Sequence, residues 1–390
     1  MRSWITLLLV FYVQLLVGQT KIHIPEPYGD RFIESELIAE VSIIPLNIER
    51  YGMISPDMEM KVDGDDYFIL DNKYKQCVYR FNGEGELVNT ICENKEEDDG
   101  DLPKLNNPAK FSIDPFRKQV EIYNFENSTV TRFKYDGTKV GQISLTVSPS
   151  DFISDREGNY WIYTGWHNSE TQYRLLKTDS KGNIIERKMR LPSNCMPTEG
   201  FAFYNTGEEI CFWELLGNTA YSITGNDIKP EYLFNFGSHN LPREYHIMEA
   251  DVSYAMITNT GYYTLKKYIE NDDFAYFFLN YNGLDQREMF HIIHDKKSNQ
   301  VYIYTEDSAI GAFDKAQAIT ADNELLFLVS PKKLRQLLGG GTDFVPAPFV
   351  ALEEQVSGRM RNPVILKIRL QSVAREQPQN ENYDSLYFGN

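Results

Sequence analysis

The sequence predicts an all-β fold, a six-bladed β-propeller, and three observations lead to this prediction. Aromatic residues, which are enriched in strands, make up 13% of the 390 residues, with 25 Tyr and 23 Phe. A module of three strands recurs along the chain, each time with a glycine in its second turn. Five such glycines lie 43 to 58 residues apart: Gly83, Gly137, Gly182, Gly225 and Gly283. Four-stranded units at this period are typical of β-propellers.

The repeated module accounts for most of the chain. Its five copies span residues 67–91, 120–145, 160–191, 210–236 and 272–290. A further short strand precedes several copies, for example Phe111–Asp114 and Asp151–Ser154, which gives four antiparallel strands per unit, here called a to d. Glycine is expected in the c–d turn because a tight hairpin needs positive φ angles. Strands such as Phe274–Leu279 are apolar on both faces, as expected for blades that stack against each other.

The ends of the chain are predicted to close the ring together. The sixth unit has only three strands: Ala316–Thr320, Leu325–Val329 and Val364–Leu370. The apolar segment Val41–Leu46 is predicted to be its fourth strand, because this pairing removes the exposed edges of the outer sheets. We therefore predict one propeller domain over residues 20–374 and a polar C-terminal tail over residues 375–390.

Residues 1–19 have the features of a secretory signal peptide. Arg2 precedes a largely apolar stretch, Trp4–Val17, and Gly18 supplies the small residue at a cleavage site. The apolar stretch is shorter than the ~20 residues that span a bilayer, and no cysteine near the cleavage site would carry a lipid anchor. We expect the mature protein to be exported to the periplasm or the cell exterior, soluble, without membrane insertion.

The charge balance restricts the partners. Lys and Arg number 39 against 56 Asp and Glu, for a net charge of −17. This charge disfavours a nucleic-acid partner, which requires basic surface. We expect the protein to be a monomer. The sequence contains no nucleophile elbow, P-loop, zinc-protease or dinucleotide motif.

The four cysteines permit two disulfides, with three ways to pair them. Cys77 and Cys92 flank the turn at residues 82–85, so a bridge between their strands would fit; Cys195 and Cys211 are the remaining pair. The alternative is four buried thiols that pack as small apolar side chains.

Three segments resemble a known family: VSIIPLNIER, YFILDNKYKQCVYRFNGEGELV and NPAKFSIDPFRKQVEIYNFENSTVTRFKYDGTKV. They are similar to the secreted six-bladed β-propellers of Bacteroidetes-type bacteria, which resemble NHL-repeat and TolB-like propellers. The resemblance covers residues 35–371 and implies the fold and export. It implies no activity, since most members have none assigned. Members often carry a Gly-Pro-Gly-Glu-like stretch where this chain has Glu96–Asp101.

The predicted site lies on one end of the propeller. In a four-stranded blade, a–b and c–d turns lie at one end, and b–c and d–a connections at the other. The four long connections, residues 92–107, 164–171, 238–252 and 330–363, all belong to the second group. We call this end the loop face and expect binding there. The longest connection is predicted to contain a helix from Pro331 to Leu338, ended by Gly339–Gly341, and a second short helix within Ala351–Gly358.

Candidate binding residues lie on these connections. Trp166 and His167 on a b–c connection, and Arg243, Tyr245 and His246 on a d–a connection, are candidate contacts for a protein or a glycan. No cofactor is predicted apart from a candidate Ca²⁺ site, because the acidic run of the first d–a connection has enough carboxylates for this ion. Its residues are Glu96, Glu97, Asp98, Asp99 and Asp101. The alternative is a solvated acidic loop.

Two histidine clusters also suggest metal ligands. Residues 246–251 contain His246, Glu249 and Asp251. His291 and His294 are three residues apart on a predicted strand, so they should point to opposite faces and not share a metal.

Three functions fit these patterns, and the sequence favours the first, which is not enzymatic. It is an exported, non-catalytic binding propeller that recognises a protein or glycan through its loop face. The second is a metal-dependent hydrolase or lyase, lactonase-like, with its site at the channel mouth. Its ligands would converge from several a-strands, but those strands are mainly apolar or small, with Asp151 and Glu199 as exceptions. The third is a cell-envelope assembly component, which would expose a large apolar patch.

Overall fold

Six sheets arranged in a ring form the blades of a β-propeller in the computed structural model of this protein. The predicted fold class is confirmed. The structure describes residues 20–24, 34–48, 54–73, 75–92, 108–165, 171–191, 200, 202–206, 209–246, 248, 250–259, 261–283, 287–305, 308–339, 347–352, 355–356 and 362–373. Within these residues no helix is both long and apolar enough to span a membrane.

The first three blades follow the chain in order. Two strands and a short helix precede them: β1 (Thr20–His23), α1 (Glu34–Leu37) and β2 (Ile38–Pro45). Blade 1 contains β3 (Glu59–Asp63), β4 (Asp66–Asp71), β5 (Cys77–Phe81) and β6 (Leu87–Ile91). Blade 2 contains β7 (Pro108–Asp114), β8 (Gln119–Asn124), β9 (Thr129–Lys134) and β10 (Lys139–Ser144). Blade 3 contains β11 (Asp151–Ser154), β12 (Tyr160–Tyr163), β13 (Tyr173–Thr178) and β14 (Ile184–Arg190).

The last three blades carry the other helices in their connections. Blade 4 contains β15 (Phe203–Asn205), β16 (Ile210–Trp213), β17 (Thr219–Thr224) and β18 (Asp227–Asn235). Blade 5 contains β19 (Tyr262–Glu270), β20 (Phe274–Asn282), β21 (Arg287–Asp295) and β22 (Gln300–Tyr304). Blade 6 contains β23 (Ala318–Ile319), β24 (Glu324–Val329), β25 (Val364–Leu370) and β2. The helices are α2 (Ala250–Asn259), α3 (Pro331–Gly339), α4 (Ala347–Val350) and two 3-10 turns, Gly237–His239 and Arg243–His246.

The N-terminal part of the chain closes the ring. Strand β2 pairs antiparallel with β25, with Val41 opposite Ile368, so the predicted closure is confirmed. The structure adds a pairing that the sequence did not predict. Strand β1 pairs parallel with β18, with Ile22 opposite Phe234, and becomes a fifth strand of blade 4.

The core lies between neighbouring blades. Along β20, Tyr276 and its alternate neighbours pack towards blade 6, while Phe277 and its neighbours pack towards blade 4. The rings of Phe277 and Phe234 are 4.7 Å apart. Such two-sided burial explains why this strand is apolar on both faces.

One detail of the prediction was wrong. Gly283 does not lie in a c–d turn: it follows β20, in the b–c connection of blade 5. The c–d turn of this blade contains no glycine, and Asn299 adopts the positive φ of 54° there. The first helix of the long connection is where the sequence predicted it. Within Ala351–Gly358, where a second was predicted, the Val356 N–H donates to the carbonyl oxygen of Leu352, as in a helical turn, and residues 353, 354, 357 and 358 lie outside the described residues. The structure adds α4 just before this segment. Its Phe349 packs on the ring of Phe313, 6.2 Å away, and this buried contact holds the turn.

Candidate functional site

The helices other than α1 lie on the loop face. Helix α2 belongs to the d–a connection between blades 4 and 5, and α3 and α4 belong to the b–c connection of blade 6. Leu216, from the b–c connection of blade 4, packs against Ile257 of α2. Leu334 of α3 is buried in the core between blades 5 and 6. These contacts fix the connections to the blades beneath them.

Several predicted site residues lie outside the described residues. They are Trp166, His167, Glu96, Glu97, Asp98, Asp99, Asp101, Cys195 and Glu199. The backbone of Arg243 and His246 forms the second 3-10 turn of the loop face. Tyr245 is the one predicted contact residue whose side chain the structure describes.

Tyr245 forms part of an aromatic pair near the channel. Its ring is 5.5 Å from the ring of Tyr262, in an edge-to-face arrangement, and the two hydroxyl oxygens are 3.5 Å apart. Tyr262 is the first residue of β19, the innermost strand of blade 5. The backbone oxygen of Tyr245 accepts a hydrogen bond from Ser253 of α2. The pair therefore links the 3-10 turn, α2 and the channel wall.

One disulfide lies on the loop face. Cys77, at the start of β5, is bonded to Cys92, which follows β6. The bridge holds the base of the connection that carries the acidic run. Cys211 instead has a free, buried thiol that donates to Glu270 Oε1 over 3.1 Å. Burial, with Glu270 close by, raises the pKa of the Cys211 thiol. Cys211 thus forms no disulfide in the described part of the chain, and Cys195, its predicted partner, lies outside the described residues.

His291 and His294 have separate structural partners. His291 is buried, with Nε2 3.1 Å from the carbonyl oxygen of Phe313 and Nδ1 3.0 Å from the hydroxyl of Tyr276. Burial lowers the pKa of His291 to about 3, so the ring is neutral and donates from Nε2. His294 contacts Asn299 Oδ1, 3.0 Å away, within its own blade. Among the residues with described placement, no three His, Cys, Asp or Glu side chains group as metal ligands do.

The centre of the propeller contains charged side chains that the sequence reasoning missed. The innermost strands are β3, β7, β11, β15, β19 and β23, and they line the central channel. Asp151 on β11 was expected there. The structure adds a group of charged residues on or beside these strands that act on one another or on Asp151: Glu59, Lys61, Lys110, Lys267, Asp314 and Lys315.

Two carboxylates of this group, Glu59 and Asp151, have fixed partners. Glu59 Oε1 lies 3.2 Å from Lys61 Nζ. Asp151 is buried, and its Oδ2 accepts hydrogen bonds from the backbone N–H groups of Ala202, at 2.7 Å, and Phe203, at 3.1 Å. Asp151 thus links the innermost strands of blades 3 and 4. Its charge also favours the charged forms of Lys61 and Lys267.

The charges of the lysines affect one another's pKa values. Lys267 is only 9% exposed, and burial, followed by the charge of Lys61, lowers its pKa to about 8, although Glu59 acts in the opposite direction. Burial also lowers the pKa of Lys315, with Lys110 contributing and Glu59 opposing. For Lys61, Glu59 and Asp151 outweigh burial and raise the pKa. Asp314 also acts on Lys315, in the same direction as Glu59. Lysines and carboxylates therefore act on one another at the centre of the propeller.

Two solved structures have the same fold over most of this chain. A candidate exported protein from Bacteroides fragilis has a TM-score of 0.70 at 18% identity, over 91% of this chain and 99% of that one. A member of the DUF4221 family from Bacteroides vulgatus has a TM-score of 0.51 at 9% identity, over 87% of this chain and 100% of that one. At such identities the similarity shows the fold alone.

The remaining comparisons concern sequence. None of the curated proteins searched matches this chain. The sequence profile of a family described as a domain of unknown function, DUF4934, matches residues 19–367, and the chain therefore belongs to this family.

Proposed function

We propose that this protein is an exported, non-catalytic binding propeller that recognises a glycan through its loop face. The observation that carries the proposal is the position of the long connections. Helices α2, α3 and α4 lie on one end of the propeller, whose innermost strands carry charged side chains. Loops held by a rigid scaffold are where binding residues concentrate.

Export to the periplasm or cell exterior is supported by three features. The N-terminal segment has the pattern of a signal peptide, and the Cys77–Cys92 disulfide fits an oxidising compartment. The Bacteroides fragilis protein of the same fold is itself described as a candidate exported protein. We extend the proposal to a soluble monomer, with kinship to the NHL-repeat and TolB-like propellers.

A glycan is favoured over a protein partner by the character of the loop face. Protein interfaces are built around a contiguous apolar centre. The exposed large hydrophobic residues that the structure describes on this face are single ones on different connections: Phe125, Val252 and Val350. Tyr245 and Tyr262 instead offer aromatic rings with polar hydroxyl groups, a combination suited to ligands with both apolar and polar edges. The same distribution argues against an envelope-assembly role.

A glycan array with a matched pair of variants tests the proposal. Val252→Arg places a long charged side chain on α2, on the loop face, where Val252 is 46% exposed. Val140→Arg makes the same change on the outer strand of blade 2, where Val140 is 44% exposed. We expect the native protein to bind a subset of glycans, Val252→Arg to lose at least tenfold in affinity, and Val140→Arg to bind normally. Equal binding by both variants, or no binding by the native protein, would contradict the proposal.

A further inference from the structure

Two tyrosine rings meet at an angle on the loop face. Tyr245 belongs to the 3-10 turn in the d–a connection between blades 4 and 5, and Tyr262 is the first residue of β19. The ring centres are 5.5 Å apart and the ring planes meet at 70°. Both residues are half-buried, so each keeps part of its surface open to solvent. We call this pair the aromatic corner.

The backbone fixes the position of Tyr262. Gly261 precedes it with a φ of 84°, a conformation that favours glycine. The Gly261 N–H donates to the carbonyl oxygen of Asn282 over 2.6 Å, and its own carbonyl oxygen accepts a hydrogen bond from His239 Nδ1, 2.7 Å away. A Cβ on this glycine would lie 3.0 Å from the hydroxyl oxygen of Tyr281. A side chain there would therefore strain the entry into β19.

Tyr245 is fixed by its own connection and by α2. Its N–H donates to the carbonyl oxygen of Pro242 over 3.1 Å, and its carbonyl oxygen accepts a hydrogen bond from Ser253. Tyr245 also packs against the buried pair Leu216 and Ile257. Rings that are held in place before a ligand arrives lower the entropic cost of binding.

Amide groups lie on the same face of blade 5 as Tyr262. In the pairing of β19 with β20, Asn282 is opposite Tyr262 and Asn280 is opposite Thr264, and side chains of directly opposite residues share a face. Asn280 Nδ2 donates to Asn282 Oδ1 over 2.6 Å. Asn282 is buried, whereas Asn280 is half-buried. The aromatic corner therefore has polar neighbours as well as its own two hydroxyl groups.

We infer that Tyr245 and Tyr262 bind one pyranose residue of the glycan, with a C–H face of the sugar stacked on a tyrosine ring. The inference rests on the proposed function and names the residues and the part of the glycan. A pyranose has C–H groups on its ring faces and hydroxyl groups around its rim. The tyrosine rings match the faces, and the tyrosine hydroxyls and the Asn280 amide match the rim.

The angle between the rings limits the length of chain that the aromatic corner binds. Two successive residues of a flat glycan chain would stack on two coplanar rings. The rings of Tyr245 and Tyr262 are instead 70° apart, so one ring stacks on the sugar while the other borders its edge. The aromatic corner therefore fits a single sugar residue.

Ligand-detected NMR measures this stacking directly. The probes are methyl β-glucopyranoside, methyl β-galactopyranoside and methyl α-mannopyranoside. Sorbitol, which has the hydroxyl groups of a sugar but no ring, is the control. We expect at least one glycoside to bind, with its ring C–H signals shifted upfield by the tyrosine ring, and sorbitol not to bind.

Variants separate stacking from hydrogen bonding. Tyr262→Ala should weaken binding about tenfold or more and remove the upfield shift, whereas Tyr262→Phe, which keeps the ring, should lose less than about threefold. Phe125→Ala, at an exposed aromatic residue elsewhere on the loop face, is the matched control and should bind as the native protein does. A thermal melt checks that each variant is folded, and Tyr245→Ala and Tyr245→Phe replace the Tyr262 variants if those are not.

A tetrasaccharide of the same sugar tests the limit to one residue. The loss of affinity in Tyr262→Ala should be the same for the tetrasaccharide as for the glycoside. A larger loss for the tetrasaccharide would overturn the inference, as would binding of no glycoside or equal affinity in Tyr262→Ala and Phe125→Ala.

The two proposals fail separately. Glycan binding on the array that Val252→Arg weakens and Tyr262→Ala leaves unchanged would refute the aromatic corner and leave the loop-face function standing. If neither a glycan on the array nor a glycoside binds, both proposals are refuted.

Discussion

The clearest test of the electrostatics within the fold is the substitution Glu121→Gln. Glu121 lies on β8 and is 2% exposed, between blades 2 and 3. Tyr160 donates a hydrogen bond to its Oε1 over 2.8 Å, whereas Oε2 has no hydrogen-bond partner among the residues that the structure describes. Burial, the largest influence, raises the pKa of Glu121 from 4.5 to about 7, and the Tyr160 hydrogen bond acts against it.

The direction of the pH effect follows from the raised pKa. Glu121 keeps its proton up to about pH 7 in the folded protein but loses it near pH 4.5 when unfolded. Its contribution to stability is therefore complete below pH 4.5, declines as the pH rises, and is lost above about pH 7. At ~1.4 kcal/mol per pKa unit, the loss is about 3 kcal/mol. Gln keeps the shape and the Oε1 acceptor but cannot ionise.

Urea unfolding at several pH values measures this difference. We expect the gain in free energy of unfolding of Glu121→Gln over the native protein to be about 3 kcal/mol larger at pH 8.5 than at pH 4. Glu126→Gln, at an exposed glutamate in the following turn of the same blade, is the control and should show no such trend. A pH-independent gain, or a loss that grows with pH, would refute the reasoning, since either would mean that the buried carboxylate is well solvated or paired.

Three further predictions follow from the structure and the sequence. Reduction of the Cys77–Cys92 disulfide, which closes a loop of 15 residues, should lower the free energy of unfolding by ~3 kcal/mol; urea titrations with and without reductant would show it, and equal midpoints would contradict it. Ile22→Ala should destabilise blade 4 by about 2–4 kcal/mol, because Ile22 of β1 is buried, whereas the exposed Lys21→Ala should cost under 0.5 kcal/mol. If the acidic run at residues 96–101 binds Ca²⁺, a hundredfold excess over Kd should stabilise the protein by about 2.7 kcal/mol in thermal melts, and a melt that EDTA and Ca²⁺ leave unchanged would remove the site.

The repeat made most of the fold predictable from local signals. In the second to fourth copies the predicted glycine turns the chain with positive φ, as at Gly137 and Gly182, and in the first copy Gly85, two residues after Gly83, does so. The strand order could therefore be counted along the sequence. The turn of blade 5 was misplaced because Asn299, not glycine, adopts the positive φ in its c–d turn. Strand β1 was missed for a different reason. Four residues that pair parallel at a sheet edge carry no turn signal and no module of their own.

The charged residues at the centre of the propeller could not be predicted from the sequence of any single strand. Lys266 and Lys267 are adjacent in β19, where the register shifts between Leu265 and Lys267. Lys266 is exposed and Lys267 is buried. Nothing in the local sequence distinguishes the two, because the irregular pairing changes which side chain turns inward. Lys61, about two hundred residues earlier in the chain, affects the pKa of Lys267 only because the closed ring brings their strands close together.

Ion pairs between strands of one blade also help to hold neighbouring blades together. Lys296 pairs with Glu270 inside blade 5. Lys177 pairs with Asp155 inside blade 3, 2.9 Å from its Oδ2, and also donates to the carbonyl oxygen of Gly225 in blade 4, 2.9 Å away. Removing Asp155 would therefore leave a buried charge uncompensated and weaken the contact between blades 3 and 4.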